Sequence, residues 1–208
     1  MVWIFIVFCF AHVSSECIDN VTNVIHVGSF EDEDLPVFME DLHVLTYDAD
    51  YKPSCANGKP NVVLPGYATL IGGKLTVSKN YHLKGHSIVK MTMKTKGGTY
   101  FCRDGESIGI LPNYFCRLVL CKFIGDELCE VLQKKGTHNV QELIDKANFN
   151  NKLKLPSPPC IFNLCLTDLF GGDWHTEFFL EYKGKRILHF QVPSIRPYLQ
   201  VAVTPDSE

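Results

Sequence analysis

Three patterns in this chain place reactive residue types at a meaningful spacing. The first is Gly105-Glu106-Ser107-Ile108-Gly109, which matches the G-x-S-x-G spacing of a nucleophile elbow. That elbow needs a buried strand before the serine and a helix after it, with an acid and then a histidine later in the chain. Here Arg103-Asp104 come just before it and Pro112 stops any helix soon after it. Ser107 therefore reads as part of a glycine turn, and a serine hydrolase is the reading set aside. The second pattern is His82 and His86, four residues apart. Such a pair shares one face only on a helix, whereas Lys84-Gly85 between them read as a loop or strand end. The other histidines are scattered and no carboxylate pair stands out. The expectation is no catalytic residue, no cofactor and no metal.

The third pattern is the cysteines. Cys9 falls in an apolar run from Val2 to Phe10 that ends in small residues, the form of a secretory signal peptide over residues 1–15. Eight cysteines remain: Cys17, Cys55, Cys102, Cys116, Cys121, Cys129, Cys160 and Cys165. An even number in a secreted chain implies four disulfides, although eight cysteines allow 105 pairings. No CxxC pair exists to favour zinc. Asn20-Val21-Thr22 is a glycosylation acceptor, consistent with a secreted or lysosomal location.

The elements that position these residues are mostly strands. Residues 16–59 read as an N-terminal extension with a first strand at Val37–Tyr47, and Glu31 to Asp34 as a solvated acidic loop. Residues 60–204 carry the main domain. Tyr67–Ile71 and Lys74–Val77 read as strands separated by Gly72-Gly73. In Ser87–Thr95, Val89, Met91 and Met93 alternate with Lys90, Thr92 and Lys94, which predicts a sheet with one apolar face. Phe178, Leu180 and Tyr182 alternate likewise, as do Leu188, Phe190 and Val192, with Lys183-Gly184-Lys185 as the hairpin between them. Two helices are predicted between the cysteines, over Asp126–Lys134 and after the capping residue Asn139. The fold class is thus mostly β: a two-sheet antiparallel β-sandwich or β-cup with a short, disulfide-stapled helical insert.

A net charge of −3 with no basic stripe gives nucleic acid no electrostatic footprint. What the chain does offer is apolar capacity. Val89, Met91, Met93, Phe178, Leu180, Leu188 and Phe190 suit a lipid cavity, although by pattern alone a packed core fits them better. Phe123, Phe170 and Trp174 fall in loop-like segments, where exposed aromatics would mark a cavity rim that touches membrane.

Several short stretches, in order, carry a family likeness. They are Val63-Leu64-Pro65-Gly66-Tyr67-Ala68-Thr69-Leu70, Ile124-Gly125 before Cys129-Glu130-Val131-Leu132, the proline-flanked pair Cys160 and Cys165, and Gly184-Lys185-Arg186-Ile187. Over residues 60–195 the chain resembles the ganglioside GM-two activator family of the ML lipid-recognition superfamily. That resemblance implies a β-cup holding acyl chains between two sheets. It also implies a non-enzymatic protein that presents a lipid or glycolipid to a hydrolase, receptor or membrane. The family's late cysteine after G-K-R-L is replaced here by Leu188 and His189, which implies that Cys17, Cys55 and Cys102 pair differently. The alternative is a secreted, disulfide-rich β-sandwich that binds a protein partner and no lipid.

Overall fold

The computed structural model describes residues 16–203, apart from residues 32, 110–111, 148–150, 156, 158–159, 162–163 and 166–170, and without the side chains of 146–147, 160–161 and 164–165. The expected signal peptide and Phe170 lie outside the described residues.

Alternating apolar residues form strands throughout. The first are β1 (Val24–Ser29), β2 (Val37–Tyr47), β3 (Cys55–Ala56), β4 (Lys59–Val62) and β5 (Gly66–Val77). Then come β6 (Ser87–Thr95), β7 (Tyr100–Arg103), β8 (Glu106–Ser107) and β9 (Arg117–Val119). The helical insert holds α1 (Leu120–Ile124), α2 (Asp126–Leu132), a short strand β10 (Gly136–Asn139) and α3 (Val140–Ala147). The chain continues through β11 (Lys152–Leu155), β12 (Cys160–Ile161), β13 (Leu164–Cys165), β14 (Gly172–Tyr182), β15 (Lys185–Val192) and β16 (Leu199–Val201).

Apart from β12 and β13, which pair only with each other, these strands make one curled sheet with two layers. β5 pairs with β10, β11 and β2, and β2 pairs in turn with β1. The other layer runs from β15 through β14 to β6, with β7 and β9 beyond it and β16 and β4 at the side. The seam is short: Gly28 pairs with Gln191 and Ser29 with Phe190. A glycine at such a corner lets the backbone bend without a side chain to accommodate. Among the described strands only β16 and β4 pair in parallel.

The strand expected at Val37–Tyr47 is present, but β1 precedes it and β2 lies between β1 and β5. The strand expected to break at Gly72-Gly73 is continuous. Gly73 has φ +104°, and a Cβ there would sit 2.5 Å from the Asp41 carbonyl oxygen and 2.6 Å from Leu42 Cα. The pair therefore marks a β-bulge, where two backbones approach closely, and not a turn.

The main core lies between the layers. Val37, Leu75 and Val77 from one side meet Val89, Leu180 and Leu188 from the other. Leu120, Cys121, Cys129 and Leu132 bring α1 and α2 onto the same cluster. Asn139 caps α3, its Oδ1 accepting the backbone N–H groups of Gln141 at 2.9 Å and Glu142 at 3.4 Å. Among the described residues three disulfides are formed, Cys17–Cys55, Cys102–Cys116 and Cys121–Cys129. The backbone of Cys160 is registered opposite Cys165. Disulfides of this kind belong to an oxidising compartment such as that of secreted proteins. Among the described residues no helix is long and apolar enough to cross a membrane.

Candidate functional site

An apolar groove opens between the β2–β5–β11 layer and the helical insert. Its volume is about 160 Å³. Val44 on β2, Ala68 and Leu70 on β5 and Leu153 on β11 form one wall, with Ile124 of α1 and Leu128 of α2 opposite them. Strand register builds that wall: Val44 pairs with Leu70, and Ala68 pairs with Leu153. The Cys121–Cys129 disulfide ties α1 to α2 across Gly125, which fixes Ile124 against Leu128.

Asn151 and Lys152 give the groove its polar border. Asn151 is clamped to β5: its Nδ2 donates to the Leu70 carbonyl at 2.9 Å, and the Leu70 N–H donates to its carbonyl at 2.9 Å. Lys152 Nζ lies 4.2 Å from the centre of the Tyr51 ring. Tyr51 stacks on Tyr47 at 4.3 Å and bonds Thr69 through its hydroxyl at 2.8 Å. The Tyr47 hydroxyl donates to Asp19 at 2.9 Å. Burial first, and then that hydrogen bond to a carboxylate, push the Tyr47 phenol up to about 12. The groove thus joins an apolar trough to a cation held on aromatic rings. It can take an apolar segment and keep a polar end beside Lys152 and Asn151. A cavity of roughly 150 Å³ is enough to take up benzene, so this one suits part of an acyl chain.

The seven residues expected to line a cavity lie elsewhere. Val89, Leu180 and Leu188 are buried in the main core. Met91 packs with the Cys102–Cys116 disulfide, against which Met93 and Phe178 also rest. Phe190 touches both larger clusters. The structure brings the seven together as packing between layers, and none of them lines the groove. Trp174 requires a correction: it is no exposed rim residue. The β14 alternation begins earlier than its sequence suggests, so Trp174 shares a face with Phe178 and is only 2% exposed. Its ring meets Phe101 edge to face at 4.9 Å. Phe123 is half-buried on α1, beside the groove residue Ile124. Sequence reasoning missed the groove because α1 is too short to show a helical period, and the Lys-Leu alternation of β11 does not say which strand it joins.

Ser107 lies on β8, in a hairpin with β7 and without the strand-to-helix turn of a nucleophile elbow. Its hydroxyl is buried with no hydrogen-bond partner among the described residues. His82 and His86 are both exposed. Asn20, the glycosylation acceptor, is exposed in a turn. Glu33 departs from the solvated loop expected for the acidic run. Its carboxylate lies 2.6 Å from His189 Nδ1, and the His189 ring is held between Phe30 at 4.2 Å and Phe179 at 4.3 Å.

No protein-family model matches the chain, and no curated protein matches it.

Proposed function

We propose that this chain is a secreted or lysosomal, non-enzymatic lipid-binding protein that holds an acyl chain against the β2–β5–β11 wall. The groove carries this reading. Each methylene buried there contributes about 0.8 kcal/mol, so even a partly inserted chain gains several kcal/mol. The lipid's polar group lies beside Lys152, Asn151 and the tyrosine platform, and α1, with Phe123, borders the opening. Such a protein hands its ligand to a hydrolase, receptor or membrane, in line with the resemblance to the ganglioside activator family. A cleaved signal peptide and a glycan at Asn20 belong to the same proposal.

The tight packing of Met91, Phe178, Leu180 and Leu188 favours a second reading, a β-sandwich interaction module with no lipid. Native mass spectrometry and solvent extraction of protein secreted by eukaryotic cells distinguish the two. The lipid reading expects a co-purifying acyl lipid at about one per chain. Recovery of bare protein that takes up no lipid from vesicles would overturn it in favour of the module.

A further inference from the structure

On the β1–β2 ladder His26 stands directly opposite His43. Two residues before His43, Asp41 adopts φ +47° in the bulge where the β2–β5 register shifts. Bulges of this sort re-aim side chains beside functional sites. Here the bulge brings one carboxylate oxygen onto both rings: Asp41 Oδ1 is 3.1 Å from His26 Nδ1 and 3.1 Å from His43 Nε2. One ligand atom from each of the three residues lies within 4.8 Å of the others. The rings themselves meet edge to face, 4.5 Å apart.

The opposing strand makes room for this arrangement. Gly72 is the β5 partner of His43, and a Cβ added there would lie 3.7 Å from His43 Nδ1. Gly73 allows the Asp41–Leu42 backbone its close approach. The cluster thus depends on two adjacent glycines of a third strand, more than the chance meeting of three surface side chains requires.

We propose that His26, Asp41 and His43 form a binding site for a first-row divalent metal ion of the zinc or copper class. Two imidazoles and one carboxylate are the donors such ions prefer, whereas magnesium and calcium take oxygen. A tetrahedral ion with bonds of about 2.0–2.2 Å holds its ligand atoms about 3.3 Å apart. Two of the three separations are already close to that, and small side-chain rotations close the third. The His26, His43 and Asp41 side chains are 30%, 32% and 66% exposed, so solvent reaches the ion and supplies its fourth ligand. On binding, the ring nitrogens that face Asp41 present lone pairs, and each ring hydrogen moves to the other nitrogen of its ring. The next residue in the chain, Val44, lines the groove, so an ion here braces the groove wall. The site does not depend on the lipid reading.

The test is calorimetric titration of zinc chloride into the untagged protein, with visible absorption of the cobalt-substituted form as a readout of four-coordinate geometry. One ion per chain is expected. Asp41→Asn and His43→Gln are each expected to weaken binding by at least about tenfold, since even an outer-sphere partner of a metal ligand is worth that much. Asparagine tolerates the positive φ of Asp41, so metal-free Asp41→Asn should unfold at the temperature of the parent protein. His82→Gln, at an exposed histidine outside the cluster, should leave binding unchanged. The proposal is overturned by an absence of saturable binding, or by affinity that survives both Asp41→Asn and His43→Gln.

Discussion

Phe178 and Phe190 are directly opposed on the β14–β15 ladder, their rings 5.1 Å apart and 12° from parallel. The pair links the core clusters, since Phe178 also packs against the Met91 and Cys102–Cys116 group and Phe190 against the cluster that contains Ile25, Val27 and Leu42. Stacked aromatic pairs contribute about 0.5–1.5 kcal/mol beyond the area they bury. A double-mutant cycle with Phe178→Leu and Phe190→Leu, read by denaturant unfolding, should return a coupling energy in that range. A coupling near zero would mean that the rings are merely neighbours, as they would be along an open cavity wall.

The groove makes the opposite kind of prediction. Ala68 lines it from β5, with free volume in front of a single methyl group. Ala68→Leu should fill much of that space and stabilise the fold by about 0.5–2 kcal/mol, as cavity-filling substitutions do. The same substitution should reduce uptake of acyl lipid from vesicles by about tenfold or more, which corresponds to the loss of roughly two buried methylenes. Unchanged uptake in a folded Ala68→Leu protein would move the lipid away from this groove.

Any residue other than glycine at position 73 carries a cost. The φ of +104° at Gly73 disfavours a side chain, and the atoms a Cβ would meet are the backbone of Asp41 and Leu42. Gly73→Ala should destabilise the protein by about 1–3 kcal/mol in chemical denaturation. It should also shift the imidazole resonances of His26 and His43, because the bulge that holds Asp41 must move. Gly97→Ala is the control: a Cβ there meets only Thr95 Oγ1, at 3.7 Å, and φ is not positive, so little change is expected.

The same glycine shows what was legible in the sequence. Strands with strict alternation, such as Ser87–Thr95 and Arg186–Val192, could be read from period alone, because a half-buried pleat imposes that period. Asn139 as a helix cap was equally readable, since one side chain satisfies a local need. Gly72-Gly73 was misread as a break, because a bulge and a turn share the same residue type and differ only in what lies opposite. That partner, Asp41, is more than thirty residues away in the chain. The groove and the His26–Asp41–His43 cluster have the same origin. Each is assembled by pairing between strands distant in the chain, and the spacing of Asp41 and His43 on β2 does not reveal that His26 stands opposite.

Tyr47 fixes a prediction at the alkaline end. Its phenol, 6% exposed and hydrogen-bonded to Asp19, is raised to about 12 in the folded protein, against about 10 for a tyrosine in the unfolded chain. A raised folded-state value means that the folded state holds its proton more tightly. The stabilisation is therefore fully present below about pH 10 and is lost as the pH climbs towards about 12. Two pH units correspond to something on the order of 3 kcal/mol. Tyr81 is also raised, by burial first and then by its neighbour Tyr182, so part of the alkaline fall belongs to it. Tyr47→Phe should lower stability at neutral pH through loss of the Asp19 hydrogen bond, and should flatten the decline between about pH 10 and 12. Denaturant unfolding of both proteins across that window measures the two effects separately. If the two curves run parallel there, Tyr47 is not the group that titrates.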